Sequence, residues 1–103
     1  MMSARNTLPA RRVAETFELR HGNLNTPFVV TVGYYPDRSI GEVFISGAKA
    51  GSEVEAVTRD GAVLLSIALQ YGVPLETIKH AITRNEDETP STILGAVIDR
   101  MAR

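Results

Sequence analysis

Between Glu15 and His21 apolar and polar residues alternate, with Phe17 and Leu19 on one side and Thr16, Glu18 and Arg20 on the other. That period of two predicts a half-buried strand. Gly22 to Pro27 is dense in turn-forming residues. Phe28 to Tyr35 is rich in β-branched and aromatic residues and apolar on both faces at its start, which predicts a central strand. Pro36-Asp37-Arg38-Ser39 reads as the next turn. Glu42 to Ser46 reads as a third strand, with Val43 and Ile45 inward and Glu42 and Phe44 on the opposite face. Connections this short make the strands antiparallel neighbours in a meander.

The pattern then changes to helical. Ser52 is a good N-cap, and Glu53 and Glu55 in the first turn favour the positive end of the helix dipole. From Val54 to Tyr71 apolar residues fill almost every side: Val57, Leu64, Leu65 and Ala68 form one stripe, while Ala62, Val63 and Ile67 occupy the others. A helix apolar all round is buried on more than one side. Gly61 in its interior costs about 1 kcal/mol relative to alanine, which predicts close packing of another backbone there. Gly72 is placed for a left-handed cap, and Pro74 prevents continuation. Leu75 to Thr83 predicts a short amphipathic helix with Leu75, Ile78 and Ile82 on one face. Arg84 to Pro90 is an exposed polar loop, and Ser91 caps a last helix carrying Ile93, Leu94, Val97, Ile98 and Met101.

The expected fold is therefore α+β, a three-stranded antiparallel β-meander packed on a long buried helix with two shorter C-terminal helices. A lone three-stranded sheet covers that helix poorly, so the leftover apolar surface predicts a homodimer. Residues 15–103 form the domain, and residues 1–14 precede it as a basic arm in which Arg5, Arg11 and Arg12 meet no acidic residue.

Composition narrows the functional classes. A chain of 103 residues with 44% hydrophobic content supports one core. A net charge of -1 and a pI near 6.1 provide no global attraction to nucleic acid or an anionic membrane. With no cysteine, disulfides, thiolate metal sites and thiol chemistry are excluded. The N-terminus lacks the apolar run of a signal peptide, and no segment approaches a membrane span. The expectation is a cytoplasmic protein.

The best candidate site is the loop Gly47-Ala48-Lys49-Ala50-Gly51-Ser52 between the third strand and the long helix. Backbone N–H groups at a helix start, glycines that allow close approach and one lysine suit a phosphate or carboxylate. An ordinary capped turn explains the same residues. Lys49 is separated from Ser52 by two residues, so the loop is not a Walker A motif. Arg59 reads either as an ion-pair partner of Glu55 or Asp60 or as a second anion contact, and the ion pair is the favoured reading. His80 and Glu76 read as a surface pair, Glu86-Asp87-Glu88 as a solvated loop, and no nucleophile signature or metal-ligand spacing occurs.

Leu8-Pro9-Ala10-Arg11-Arg12, Gly41-Glu42-Val43-Phe44-Ile45, Lys49 with Gly51-Ser52, and Arg59-Asp60 with Ser66-Ile67-Ala68-Leu69-Gln70-Tyr71-Gly72-Val73-Pro74 mark a segment from Leu8 to about Val73, roughly two thirds of the chain. Over this span the chain resembles the TSCPD domain, a module of the C-terminal end of cobalamin-dependent ribonucleotide reductases that is sometimes encoded alone. The family's name comes from a Thr-Ser-Cys-Pro-Asp motif, and this chain departs from it in having no cysteine. Ribonucleotide reduction, as the resemblance implies it, needs a cysteine radical position, a redox-active thiol pair and a large barrel. This chain has no thiol and too little length for the barrel, so the resemblance implies a non-catalytic accessory or regulatory module that binds a nucleotide, another anion or a partner protein.

The anion-binding candidates are Lys49, Gly51, Ser52 and Arg59, with Arg11 and Arg12 as helpers. No catalytic residue, metal site or cofactor is expected. The expected partners are a second copy of the chain and a nucleotide or reductase-related protein, with no membrane partner. The alternative reading is a small single-stranded nucleic-acid-binding protein using Arg5, Arg11, Arg12 and Arg20 with Tyr34 and Tyr35, against which the near-neutral charge argues.

Overall fold

In a computed structural model, which describes residues 4–22, 27–47 and 51–103, three strands precede three helices. β1 (Ala14–Leu19), β2 (Phe28–Tyr34) and β3 (Ile40–Ser46) form an antiparallel sheet in that order. The β1–β2 register sets Phe17 opposite Val30 and Leu19 opposite Phe28. The β2–β3 register sets Val30 opposite Ile45 and Val32 opposite Val43. Paired residues share a face, so these side chains line one side of the sheet. The other side carries Thr16, Thr31 and Phe44 in one row, with the Thr16 and Thr31 hydroxyls 3.0 Å apart.

α1 (Glu53–Gln70), α2 (Leu75–Ala81) and α3 (Ile93–Met101) cover the inner side. The core joins Phe28, Val30, Val32, Val43 and Ile45 of the sheet to Ala62 and Leu65 of α1 and Ile93, Val97 and Ile98 of α3. Leu75, Ile78 and Ile82 pack against it, as their spacing predicts. The Arg100 guanidinium lies 4.6 Å above the Phe17 ring and ties α3 to β1.

α1 ends in a Schellman cap. Gly72 has φ 90°, its N–H donates to the Leu69 carbonyl at 3.0 Å, and the Val73 N–H donates to the Ala68 carbonyl at 3.1 Å. Two other details differ from the sequence reading. α3 is capped by Thr92, whose Oγ1 accepts from the Gly95 N–H at 3.0 Å, while Ser91 instead donates to Asn85 at 2.8 Å. Gly61 is crowded by a side chain rather than a backbone: a Cβ there would stand 2.8 Å from Leu94 Cδ2.

The largest difference concerns α1 itself. Only one face is buried, through Thr58, Ala62, Leu65 and Gln70. The predicted stripe splits, with Leu65 inside while Val57 is 63% and Leu64 68% exposed. Residues 57 and 64 are two turns apart on one side, and residue 65 is rotated by about 100° onto the sheet side.

Candidate functional site

The start of α1 is organised around Glu55. Gly47 leaves β3 with φ 143° because a Cβ would stand 2.9 Å from Phe28 Cα, and Gly51 follows with φ 80°. Ser52 then caps the helix, its Oγ accepting from the Glu55 N–H at 3.2 Å. The Glu55 carboxylate folds back: Oε2 accepts from the Gly51 N–H at 3.1 Å, and Oε1 accepts from Arg59 Nη1 at 3.1 Å. Hydrogen bonds from Arg59 first, and from Gly51 second, hold the Glu55 carboxyl below the usual carboxylate range. Gly51, Ser52 and Arg59 are thus gathered at one point, and the anion in their midst is the chain's own Glu55. Ser52-Glu53-Val54-Glu55 has the spacing of a capping box, the signal that would have placed Glu55 here. Lys49 lies outside the described residues.

Arg12 is elsewhere. Its Nε and Nη2 donate to the two carboxylate oxygens of Glu42 at 2.5 and 3.1 Å, and Nη1 donates to the Pro9 carbonyl at 2.5 Å. Gly33 makes this fork fit, since it faces Glu42 across the ladder and a Cβ there would meet Glu42 Oε2 at 2.3 Å. Glu42 stands five residues before Gly47, about 17 Å along a strand. The Arg12–Glu42 pair therefore stands away from the β3 exit that leads to Gly51 and Ser52, while Glu42 and Arg59 line one groove. Arg11 is exposed on the arm.

The arm is fastened to the far end of α1. Arg5 Nε donates to Gln70 Oε1 at 2.6 Å, Asn6 N–H donates to the Gln70 carbonyl at 2.8 Å, and buried Gln70 Nε2 donates to the Gly41 carbonyl at 2.9 Å. The Tyr35 hydroxyl donates to the Asn6 carbonyl. Gly41 lets Tyr35 and Leu8 close over it, as a Cβ would stand 2.6 and 2.8 Å from their atoms. Tyr34 turns its hydroxyl toward Glu15 at 3.4 Å. Each of the two tyrosines thus has a partner within the chain.

Three surface features remain. A groove of about 590 Å³ runs between β3 and α1, walled by Phe44, Val63 and Ile67, with Arg5 and Arg59 among its lining residues. A cleft of about 810 Å³ opens between the arm, the β2–β3 turn and the end of α1. Beside the groove, Val57, Val63 and Leu64 stand more than half exposed along α1, with Phe44 similarly exposed on β3. His80 and Glu76 pair at 3.4 Å on the exposed side of α2. Among the described residues no cluster of three or more histidine, aspartate or glutamate side chains is placed to hold a metal ion, and no helix is long and apolar enough to cross a membrane.

This α+β module has its relatives among reductases. The chain belongs to the TSCPD domain family, whose model matches residues 3–102. It is 43% identical over 79 residues to a vitamin B12-dependent ribonucleotide reductase of Rhodopirellula baltica, covering 70% of this chain and 8% of that protein. The corresponding protein of Agrobacterium fabrum is 34% identical over 91 residues, 88% of this chain and 7% of its own length. That of Bradyrhizobium diazoefficiens is 30% identical over 95 residues, 92% of this chain and 7% of its own length. The chain thus spans less than a tenth of these relatives. No solved structure matches it.

Proposed function

We propose that this chain is a non-catalytic accessory module of the ribonucleotide-reductase type that works by docking to protein, and that its first partner is a second copy of itself. The observation that carries the reading is the outward side of α1. Val57 and Leu64 on one side of α1, and Val63 with Phe44 at the neighbouring groove, are each more than half exposed. Arg59 and Asp60 are the charged residues between Val57 and Leu64, and both are exposed. Single exposed apolar residues are ordinary, whereas several on adjoining sides of one helix point to an interface.

Energetics favour a second copy. Burying what remains exposed of each of these side chains contributes about 1 kcal/mol or more. A two-fold contact counts every side chain twice, reaching on the order of 10 kcal/mol gross, enough to exceed an association cost at the lower end of the roughly 4 to 15 kcal/mol range. A polar partner surface would supply about half of that. The catalytic alternative has little support, because thiol chemistry has no thiol in this chain.

The absence of cysteine also makes the test clean. In a Leu64→Cys variant the introduced thiol is unique, so a short bis-maleimide is expected to link two chains rapidly. A Glu86→Cys control in the exposed 84–90 loop is expected to stay monomeric on denaturing gels. Equal cross-linking of both variants, or of neither, counts against docking through α1.

A further inference from the structure

The cleft between the arm and the β2–β3 turn has the construction of a ligand site. Its walls are held by their own hydrogen bonds: Tyr35 N–H to the Ser39 carbonyl at 2.9 Å, Arg38 N–H to the Tyr35 carbonyl at 2.8 Å, and Asn6 N–H to the Gln70 carbonyl at 2.8 Å. One wall is apolar, formed by Ile40, Leu69 and Val73, and its volume of about 810 Å³ lies in the range of small-molecule sites.

Arg38 is the residue that the fold does not explain. The turn is a type I turn over Tyr35 to Arg38 closed by a left-handed residue, a position where glycine is cheapest. Arg38 occupies it with φ 75°, a conformation that costs a side-chain-bearing residue about 1 to 2 kcal/mol. Among the described residues its guanidinium has no hydrogen-bond or ion-pair partner. Neighbouring Asp37 forms no ion pair with it: Asp37 Oδ1 accepts from Ser39 N–H at 2.9 Å and Ser39 Oγ at 2.6 Å. A strained, exposed arginine with no internal partner, lining a cleft that has polar residues beside its apolar wall, calls for an anion from outside.

We propose that this cleft binds a phosphorylated ring compound of nucleoside-monophosphate size, the ring against Ile40, Leu69 and Val73 and the phosphate on the Arg38 guanidinium. The apolar wall takes a flat ring, the Thr7 and Ser39 hydroxyls on the rim suit a sugar, and the guanidinium matches phosphate as a two-pronged donor. The site is separate from the outward side of α1, so it stands or falls independently of the docking reading.

The test is calorimetric titration of the full chain with AMP, GMP, CMP and UMP, and with adenosine and inorganic phosphate as the two halves of the ligand. At least one monophosphate is expected to bind, with adenosine and phosphate each at least about tenfold weaker. Arg38→Gly is expected to weaken binding roughly 10- to 100-fold, the loss of one charge-assisted contact, while leaving the melting temperature unchanged or higher because glycine relieves the turn. Leu64→Glu is expected to leave binding intact. No binding by any monophosphate overturns the proposal, as does binding that survives Arg38→Gly or phosphate alone binding as tightly as the nucleotide.

Discussion

The Ser66 hydroxyl of α1 lies against the outer edge of β3 at Val43, accepting from the Val43 N–H at 2.9 Å, with the Val43 carbonyl at 3.2 Å and the Ala62 carbonyl at 2.8 Å as acceptors. One turn further, Gln70 donates to Gly41 on the same edge. β3 is an edge strand of the sheet, and an open edge invites pairing with another chain. Here the long helix closes part of that edge with side chains. The opposite edge, β1, carries Glu15 and Glu18 instead.

Removing that hydroxyl leaves the Val43 N–H without its partner at a part-buried site. Ser66→Ala is expected to lower the unfolding free energy by about 1 to 3 kcal/mol, the cost of an unsatisfied buried donor. Urea denaturation measures it, and Ser46→Ala on the exposed end of β3 is the control expected to be neutral. Equal stability of both variants would show that water replaces Ser66 at the edge.

Two glycines are expected to respond differently to alanine. At Gly47 the backbone is at φ 143° and a Cβ meets Phe28 Cα, an atom that cannot swing away. Gly47→Ala is expected to destabilise by about 1 to 3 kcal/mol. At Gly61 the obstacle is the end of the flexible Leu94 side chain, and the gain in helix propensity is about 1 kcal/mol. Gly61→Ala is therefore expected to fall within about 1 kcal/mol of the wild type. Thermal melts of the two variants side by side decide both.

Acid sensitivity should concentrate at the 84–90 loop. Arg84 donates to Asp99 Oδ1 at 2.6 Å and Oδ2 at 2.9 Å, and also to the Glu88 and Lys79 carbonyls. Hydrogen bonds from Arg84 are the main reason the Asp99 carboxyl sits below its ordinary value. Because the folded pKa is the lower one, this contribution is complete above the unfolded value of about 3.9 and is lost as pH falls through the folded value. Asp99→Asn is expected to reduce stability at neutral pH and to flatten the decline below about pH 4. Urea midpoints across that range are the measurement, and an unchanged acid-side slope contradicts the assignment.

Much of the fold was legible because period and punctuation agreed. Alternation placed β1 and β3 to within two residues, Ser52 and Gly72 marked the ends of α1, and Leu75, Ile78 and Ile82 declared their buried face. What could not be read was which side of α1 the sheet takes. Val57, Leu64 and Leu65 are equally apolar, and only the path of β3 decides that Leu65 goes inside. The candidate site was legible in part. Ser52 announced a cap, but nothing local announced that Glu42 would take Arg12, since that pair spans 30 residues and depends on the strand register. Pro36-Asp37-Arg38-Ser39 announces a turn but not that Arg38 takes its left-handed position.

The central claim is that the outward side of α1 buries itself against a second copy, and the solution mass tests it most directly. Light scattering on the intact chain at roughly ten times the interface Kd or above, about 100 μM for a 10 μM contact, is expected to give about twice the chain mass of 11.2 kDa. Leu64→Glu, which places a carboxylate at the 68% exposed centre of the face, is expected to give the single-chain mass with an unchanged circular dichroism spectrum. A wild-type protein that stays at the single-chain mass, or a Leu64→Glu variant that remains dimeric, contradicts the account.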